Sequence, residues 1–262
     1  MPVHIPRKRF GQHFLHDQNV IEQIINAIHP EPDQFIVEIG PGQGALTLPL
    51  LKRAGNLHVI ELDRDLAKLI SDRCKNIGTL HMHCTDALKF DFCKLADKHI
   101  RVIGNLPYNI STMLIFHLLD QLVCIKDMVF MLQEEVVDRI NAEHGTRAYG
   151  RLSVMVQSQC QVQKLFRVES GAFSPPPKVE SAIVRLIPHA TPVAKINNNV
   201  AFTIIVRESF NHRRKTLRNA LKNHLDAKHI ESVGIDPGLR PEQLTICQFA
   251  SLANLYHPDM DQ

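Results

Sequence analysis

The chain has 262 residues, 44% hydrophobic and 22% charged, with a formal net charge of +3. At roughly 150 residues per domain, that length allows one large domain or a large one with a smaller companion, and it supports a core without staples. The composition excludes a disordered or fibrous chain. No apolar run approaches the roughly 20 residues of a membrane span, and +3 is too small a charge to name a partner.

The six cysteines, Cys74, Cys84, Cys93, Cys124, Cys160 and Cys247, form no C-x-x-C pair and read as the reduced thiols of a cytoplasmic protein. No apolar segment of the about 7–15 residues found in secretory leaders follows Arg7-Lys8-Arg9. His81-Met82-His83-Cys84 gathers metal-ligating types, but alternation along a strand accounts for them, and no metal is expected.

The opening segment, Arg7-Lys8-Arg9-Phe10-Gly11-Gln12-His13-Phe14-Leu15, mixes cations with aromatic rings and suits phosphate binding. A helix pattern over residues 17–28 follows. The apolar run 35–39 leads into Gly40-Pro41-Gly42-Gln43-Gly44, a turn whose glycines let backbone pass close to a ligand, and the chain continues as a helix over 45–52. A second strand, 57–60, ends at Glu61, about 20 residues beyond Gly40, the spacing at which an acid meets ribose hydroxyls. A third, 79–83, ends near Asp86, where an adenine amino group would be held.

The apolar run 100–103 reads as a buried parallel strand, so Asn105-Leu106-Pro107-Tyr108 emerges at its carboxyl end, ahead of a helix over 111–119. In open α/β sheets that edge is where ligands bind. The tetrapeptide suits methylation of an exocyclic amine, whose lone pair is delocalised into its ring. Two acceptors, the Asn105 side-chain oxygen and the Leu106 carbonyl, would draw the nitrogen toward sp³ geometry. Pro107 biases Leu106 to an extended conformation, and Tyr108 offers a stacking face worth roughly 1–3 kcal/mol per base. A dinucleotide such as NAD would explain the Gly40 turn and Glu61. It leaves Asp86 and Asn105 without a role, whereas the full set is typical of S-adenosylmethionine enzymes.

Residues 126–132 read as another strand, with a helix opening at Gln133-Glu134-Glu135 and a further helix over 150–160. Phe173-Ser174-Pro175-Pro176-Pro177 is a stiff segment suited to presenting Phe173 as a wall of the site, with plain core as the alternative, before a strand over 182–186. Residues 187–199 read as a linker. Helices are expected over 201–210, 214–225, 230–233 and 245–255. Arg207, Arg213, Arg214, Lys215, Arg218, Lys222 and Lys228 face only Glu208 and Asp226 in that part of the chain, a phosphate-binding footprint.

Five of these stretches occur in one order: residues 7–15, Val37-Glu38-Ile39-Gly40-Pro41-Gly42, residues 104–111 around Asn105, residues 173–179, and Phe210-Asn211-His212-Arg213-Arg214-Lys215. Together they resemble the KsgA (RsmA) family of small-subunit ribosomal RNA adenine dimethyltransferases over nearly the whole chain. The resemblance implies an α/β fold: a Rossmann-like class I methyltransferase sheet with helices on both faces (residues 1–190, with the basic arm), plus a small C-terminal all-helical domain that binds RNA (residues 198–262). It implies a monomer that dimethylates N6 of two adjacent adenines in the 3′-terminal hairpin loop of 16S rRNA, on the small subunit or its precursor.

By position, the S-adenosylmethionine contacts fall on His13, Leu15, Gly40, Glu61, Asp86 and Asn105, with His13 standing where family members often have Asn. The catalytic set is Asn105, Leu106, Pro107, Tyr108 and Phe173. The RNA contacts fall on Arg7, Lys8, Arg9, Arg213, Arg214, Lys215 and Arg218. Three rivals share parts of this pattern: a large-subunit rRNA methyltransferase, a DNA adenine methyltransferase, and an assembly factor whose binding matters more than its catalysis.

Overall fold

Apolar runs bounded by glycine, proline and acidic residues become the strands of one mixed sheet. The computed structural model describes residues 13–96, 99–212 and 214–257. Its first strand, β1 (Phe14–Leu15), pairs antiparallel with β8 (Phe173–Ser174) outside the main sheet. The seven-stranded sheet runs β4 (Thr79–His83), β3 (Asn56–Ile60), β2 (Ile36–Ile39), β5 (Ile100–Asn105), β6 (Ile125–Gln133), β9 (Ser181–Pro188) and β7 (Cys160–Val168). The pairs β2–β3, β3–β4, β2–β5 and β5–β6 are parallel, and β6–β9 is antiparallel.

Every residue of β2 is buried, which fits a parallel strand covered on both faces. Residues on one face, Ile36, Leu57, Val59, Ile103 and Val129, share a core with α1 (Gln18–Ile28), α2 (Thr47–Ala54) and α3 (Arg64–Arg73). Their alternates, Val37, Ile39, Ile60 and Val102, are buried too, and α4 (Ser111–Leu119) contributes Leu114, Ile115 and Leu118 to the interior. Asp17 caps α1 by accepting from the amides of Asn19 and Val20, so the helix starts one residue after the expected position.

Contacts divide the chain into two units, Met1–Val137 with Gln163–Pro188, and Asp138–Val162 with His189–Gln262. The divisions fall inside α5 (Glu134–Ile140) and β7, so residues 138–162, read in the sequence as part of the first domain, count with the second. The second unit holds α6 (Arg151–Gln157), α7 (Asn199–Phe210), α8 (Leu217–Ala220), α9 (Ala227–Ser232) and α10 (Ile246–Leu255). Tyr149, Phe210 and Phe249 pack ring against ring within it.

Three expectations are corrected. The helix over 214–225 shrinks to the single turn α8, because the amides of Leu217 and Arg218 donate to the carbonyls of Leu239 and Pro237. The stretch read as continuing α6 to residue 160 instead enters β7. Cys93 and Cys124, expected as free thiols, form a disulfide with Cα atoms 5.3 Å apart. Short turns at 92–94 and 122–124 bring them together, held also by Gln121 Oε1, which accepts from the Phe92 amide at 2.7 Å. Among the described residues there is no cluster of metal-ligating side chains and no helix long and apolar enough to cross a membrane.

Candidate active site

Parallel pairing places the carboxyl ends of β2, β3, β4 and β5 on one edge, and the residues that follow them line a cavity of ≈ 330 Å³ in the first unit. His13, Leu15, Gly40, Glu61, Asp86, Asn105, Leu106, Pro107 and Tyr108, nine of the positions expected from the sequence, meet there. Phe173 does not: it is 2% exposed and packs in the core beside Leu15, its partner across the β1–β8 pair. The basic arm, Arg7, Lys8 and Arg9, and Arg213 lie outside the described residues. Arg214, Lys215 and Arg218 are exposed in the second unit.

The turn after β2 takes φ values that side chains resist. Gly42 has φ 55°, and a Cβ there would come within 3.1 Å of the Phe14 ring. The Gly40 amide donates to the Ile60 carbonyl at 2.9 Å, and the Glu61 amide to the His83 carbonyl at 3.0 Å, so each strand end holds the next. Glu61 Oε1 accepts from the Asp63 amide at 2.8 Å, and burial holds its carboxyl above the usual range. Asp86 Oδ1 accepts from the Leu88 amide at 3.0 Å, which fixes the carboxylate at the start of a short turn.

Gly104 lets β5 close on β2: a Cβ there would stand 2.6 Å from the Ile39 carbonyl oxygen. Asn105 follows at once. Its Nδ2 donates to the His13 carbonyl at 3.3 Å, which leaves Oδ1 as the acceptor offered to a ligand. The Leu106 amide donates to the Met131 carbonyl at 3.2 Å, and the Pro107 and Tyr108 carbonyls accept from the Ile110 amide and the Ser111 hydroxyl. Among the described residues, no hydrogen bond reaches the Leu106 carbonyl. Two oxygens with spare acceptor capacity therefore sit on consecutive residues at the cavity. The Tyr108 ring, half-buried, stacks against the His13 ring with centroids 5.8 Å apart, and His13 Nδ1 donates to the Pro175 carbonyl at 2.8 Å.

Sequence reasoning passed over one ionisable residue of the cavity. Glu38, in the middle of β2, is 2% exposed and lines the cavity, its Oε2 has no partner among the described residues, and burial pushes its carboxyl up to about 8. The signal was available, since an acid inside the run Ile36-Val37-Glu38-Ile39 is out of place unless something charged comes to meet it.

A parallel sheet that ends in a glycine turn, two carboxylates and an Asn-Leu-Pro-Tyr corner defines a Rossmann-like class I methyltransferase. The family model described as ribosomal RNA adenine dimethylase matches residues 3–257, and the chain belongs to that family. It is 53% identical over 255 residues to the ribosomal RNA small subunit methyltransferase A of Nitrosococcus oceani, with 97% of each chain covered. It is 54% identical over 253 residues to the protein of the same name from Pseudomonas aeruginosa, covering 96% of this chain and 94% of that one. Among solved structures, a dimethyladenosine transferase from Plasmodium falciparum superposes with TM-score 0.78 at 27% identity, covering 92% of this chain and 96% of that one. The 23S rRNA methyltransferase ErmE shares the fold, with TM-score 0.71 at 23% identity over 93% of this chain and 99% of that one.

Proposed function

We propose that this enzyme takes methyl groups from S-adenosylmethionine and places two on N6 of each of two adjacent adenines in the 3′-terminal hairpin loop of 16S rRNA. It acts as a cytoplasmic monomer on the small subunit or its precursor, as a step in subunit biogenesis. The observation that carries the reading is the Asn105–Leu106 pair: one side-chain oxygen and one carbonyl, both without internal donors, at the lip of a nucleoside-sized cavity.

The cavity fits that methyl donor. Glu38 Oε2, buried and unpartnered, awaits a positive charge, and Glu61 and Asp86 supply acceptors for ribose hydroxyls and for an adenine amino group. His13, Leu15, Gly40 and Asn105 would complete its contacts. The bound donor supplies a methyl carried on a cationic sulfur, electrophilic without further activation. What remains for the chain is to hold the amine. Asn105 Oδ1 and the Leu106 carbonyl accept its two N–H bonds and localise the lone pair. Pro107 keeps Leu106 extended, and Tyr108 stacks the base after it leaves its helix, which offsets an unstacking cost of a few kcal/mol.

Arg214, Lys215 and Arg218, with Arg213 and the arm residues Arg7, Lys8 and Arg9, supply the phosphate contacts. Removing two of these cations should flatten the salt dependence of RNA binding by about two units of slope. The direct test is mass spectrometry of the 3′ end of small-subunit RNA incubated with the enzyme and the methyl donor. Dimethyladenine at two neighbouring positions is the expected product. Methyl groups found on large-subunit RNA or duplex DNA instead would overturn the assignment.

A further inference from the structure

Ser181 is fully buried at the start of β9, next to the apolar run Ala182-Ile183-Val184, and pairs in register with Gln133 at the end of β6. A hydroxyl in such a place carries a desolvation cost unless it is bonded. Its partner is the Tyr108 hydroxyl, 2.7 Å away. The anchor is rigid: the neighbouring Glu180 carbonyl accepts from the Glu134 amide at 2.9 Å, and Glu180 Oε2 accepts from the Ser170 amide at 2.9 Å. The Tyr108 ring is therefore held at its hydroxyl by Ser181 and along its face by His13.

We infer that Ser181 is a positioning residue that sets the tilt of the Tyr108 ring, and that this matters most for the second methyl transfer. The inference rests on the reading that Tyr108 faces the target base. In the first transfer the amine presents two N–H bonds to the two oxygens of Asn105 and Leu106. After it, one N–H remains, so the oxygens hold the amine half as well and stacking carries a larger share of the alignment. A ring free to rock then lets the base drift, and a misplacement of about 1 Å is enough to cost about 100-fold in rate. The first transfer, with both N–H bonds engaged, is buffered against such drift.

The test uses the full-length enzyme on small ribosomal subunits, with Ser181→Ala, Tyr108→Phe, the double variant and Tyr108→Ala. Each of the first two removes one hydroxyl of the same hydrogen bond, worth about fivefold. In both, monomethyladenine should accumulate about fivefold relative to dimethyladenine, through a lower rate of the second step at unchanged affinity for the methyl donor. The double variant should be no worse than either single one. Unchanged product ratios in both single variants, or effects that multiply in the double, overturn the role of Ser181. Tyr108→Ala separates the two levels. If it transfers both methyl groups at the wild-type rate, Tyr108 does not face the base and the reading of the site itself falls. If it is impaired while Ser181→Ala and Tyr108→Phe are not, only the positioning role is lost.

Discussion

The two ends of β5 treat buried polar groups in opposite ways. At the amino end, Arg101 is 7% exposed and all five of its N–H donors are used. Nε and Nη2 bind the two oxygens of Asp127 at 2.8 and 2.9 Å, while Nη1 and Nη2 reach the His29 and Ile28 carbonyls and Gln34 Oε1. At the carboxyl end, the Leu106 carbonyl and Asn105 Oδ1 carry unused acceptor capacity, and Glu38 Oε2 on the adjacent strand has no partner. Saturated polar groups hold a fold, and of the groups left short, those that line a cavity are the ones a ligand can meet. The first end clamps the last turn of α1 to the sheet, and the second is where we propose that the chemistry takes place.

Breaking the saturated end should cost stability and little else. Arg101→Ala leaves Asp127 buried with only Arg185, 3.7 Å away, and frees the α1 carbonyls, so unfolding free energy should fall by about 3–5 kcal/mol. Denaturant titration measures the loss, and methyl transfer per folded molecule should stay at the wild-type value. A loss below about 1 kcal/mol would mean that the network adds little to the fold. Breaking the open end should do the reverse. Asn105→Ala should lower turnover by about 10²–10³-fold, as removal of one preorganised polar group does elsewhere, while unfolding shifts by less than about 0.5 kcal/mol. Equal damage to stability in both variants would erase the contrast.

Glu38 sharpens the comparison because its unmet oxygen has a pH signature. Its folded pKa of about 8 lies above the ordinary 4.5, so the folded state holds a proton that the unfolded state has released. Stability from this group is complete below pH 4.5 and is lost as pH rises toward 8. Glu38→Gln should thus match the wild type near pH 4 and exceed it at pH 8 by a few kcal/mol on the order-of-magnitude conversion of such a shift. A cationic methyl donor favours the ionised form. Its binding to the wild type should release a proton and strengthen from pH 6 to 8, which calorimetry in buffers of different ionisation enthalpy detects. In Glu38→Gln both effects should vanish.

The open end was the more legible of the two. Gly40, Glu61, Asp86 and Asn105 were readable because short apolar runs announce parallel strands, and such strands deliver whatever follows them to one edge. The saturated end was not: Arg101 and Asp127 are 26 residues apart in the chain, and nothing in an arginine beside an apolar run says that its partner lies on the next strand. The same blindness hid the Cys93–Cys124 link, which depends on two turns meeting. Strand β7 was missed because its alternation is imperfect and most of its residues are partly exposed, as suits the end of a sheet. Phe173 illustrates a limit of local argument. A proline-stiffened segment predicts a fixed ring, but only the pairing of β8 with β1 decides that the ring packs against the core.

Between the two extremes lies the imidazole stack on β3 and β4, which should yield the smallest effect. His58 stacks between the Phe35 and His81 rings, with centroids 4.4 Å from each, and its Nδ1 lies 3.0 Å from His83 Nε2. Burial, then the proximity of His81 and His83, lowers its pKa from 6.5 to about 4, so the unfolded state takes up a proton that the folded state refuses. The stability this group withholds from acid is present above pH 6.5 and disappears as pH falls toward 4, the opposite slope to that of Glu38. Because the stack is partly open to solvent, the contribution is about 1 kcal/mol. His58→Phe keeps the stacking and removes the titration, so thermal midpoints of variant and wild type should converge or cross in the variant's favour between pH 6.5 and 4. A constant gap across that window would mean that His58 takes up its proton as readily in the folded protein as in the unfolded one, and that the stack places no constraint on its charge.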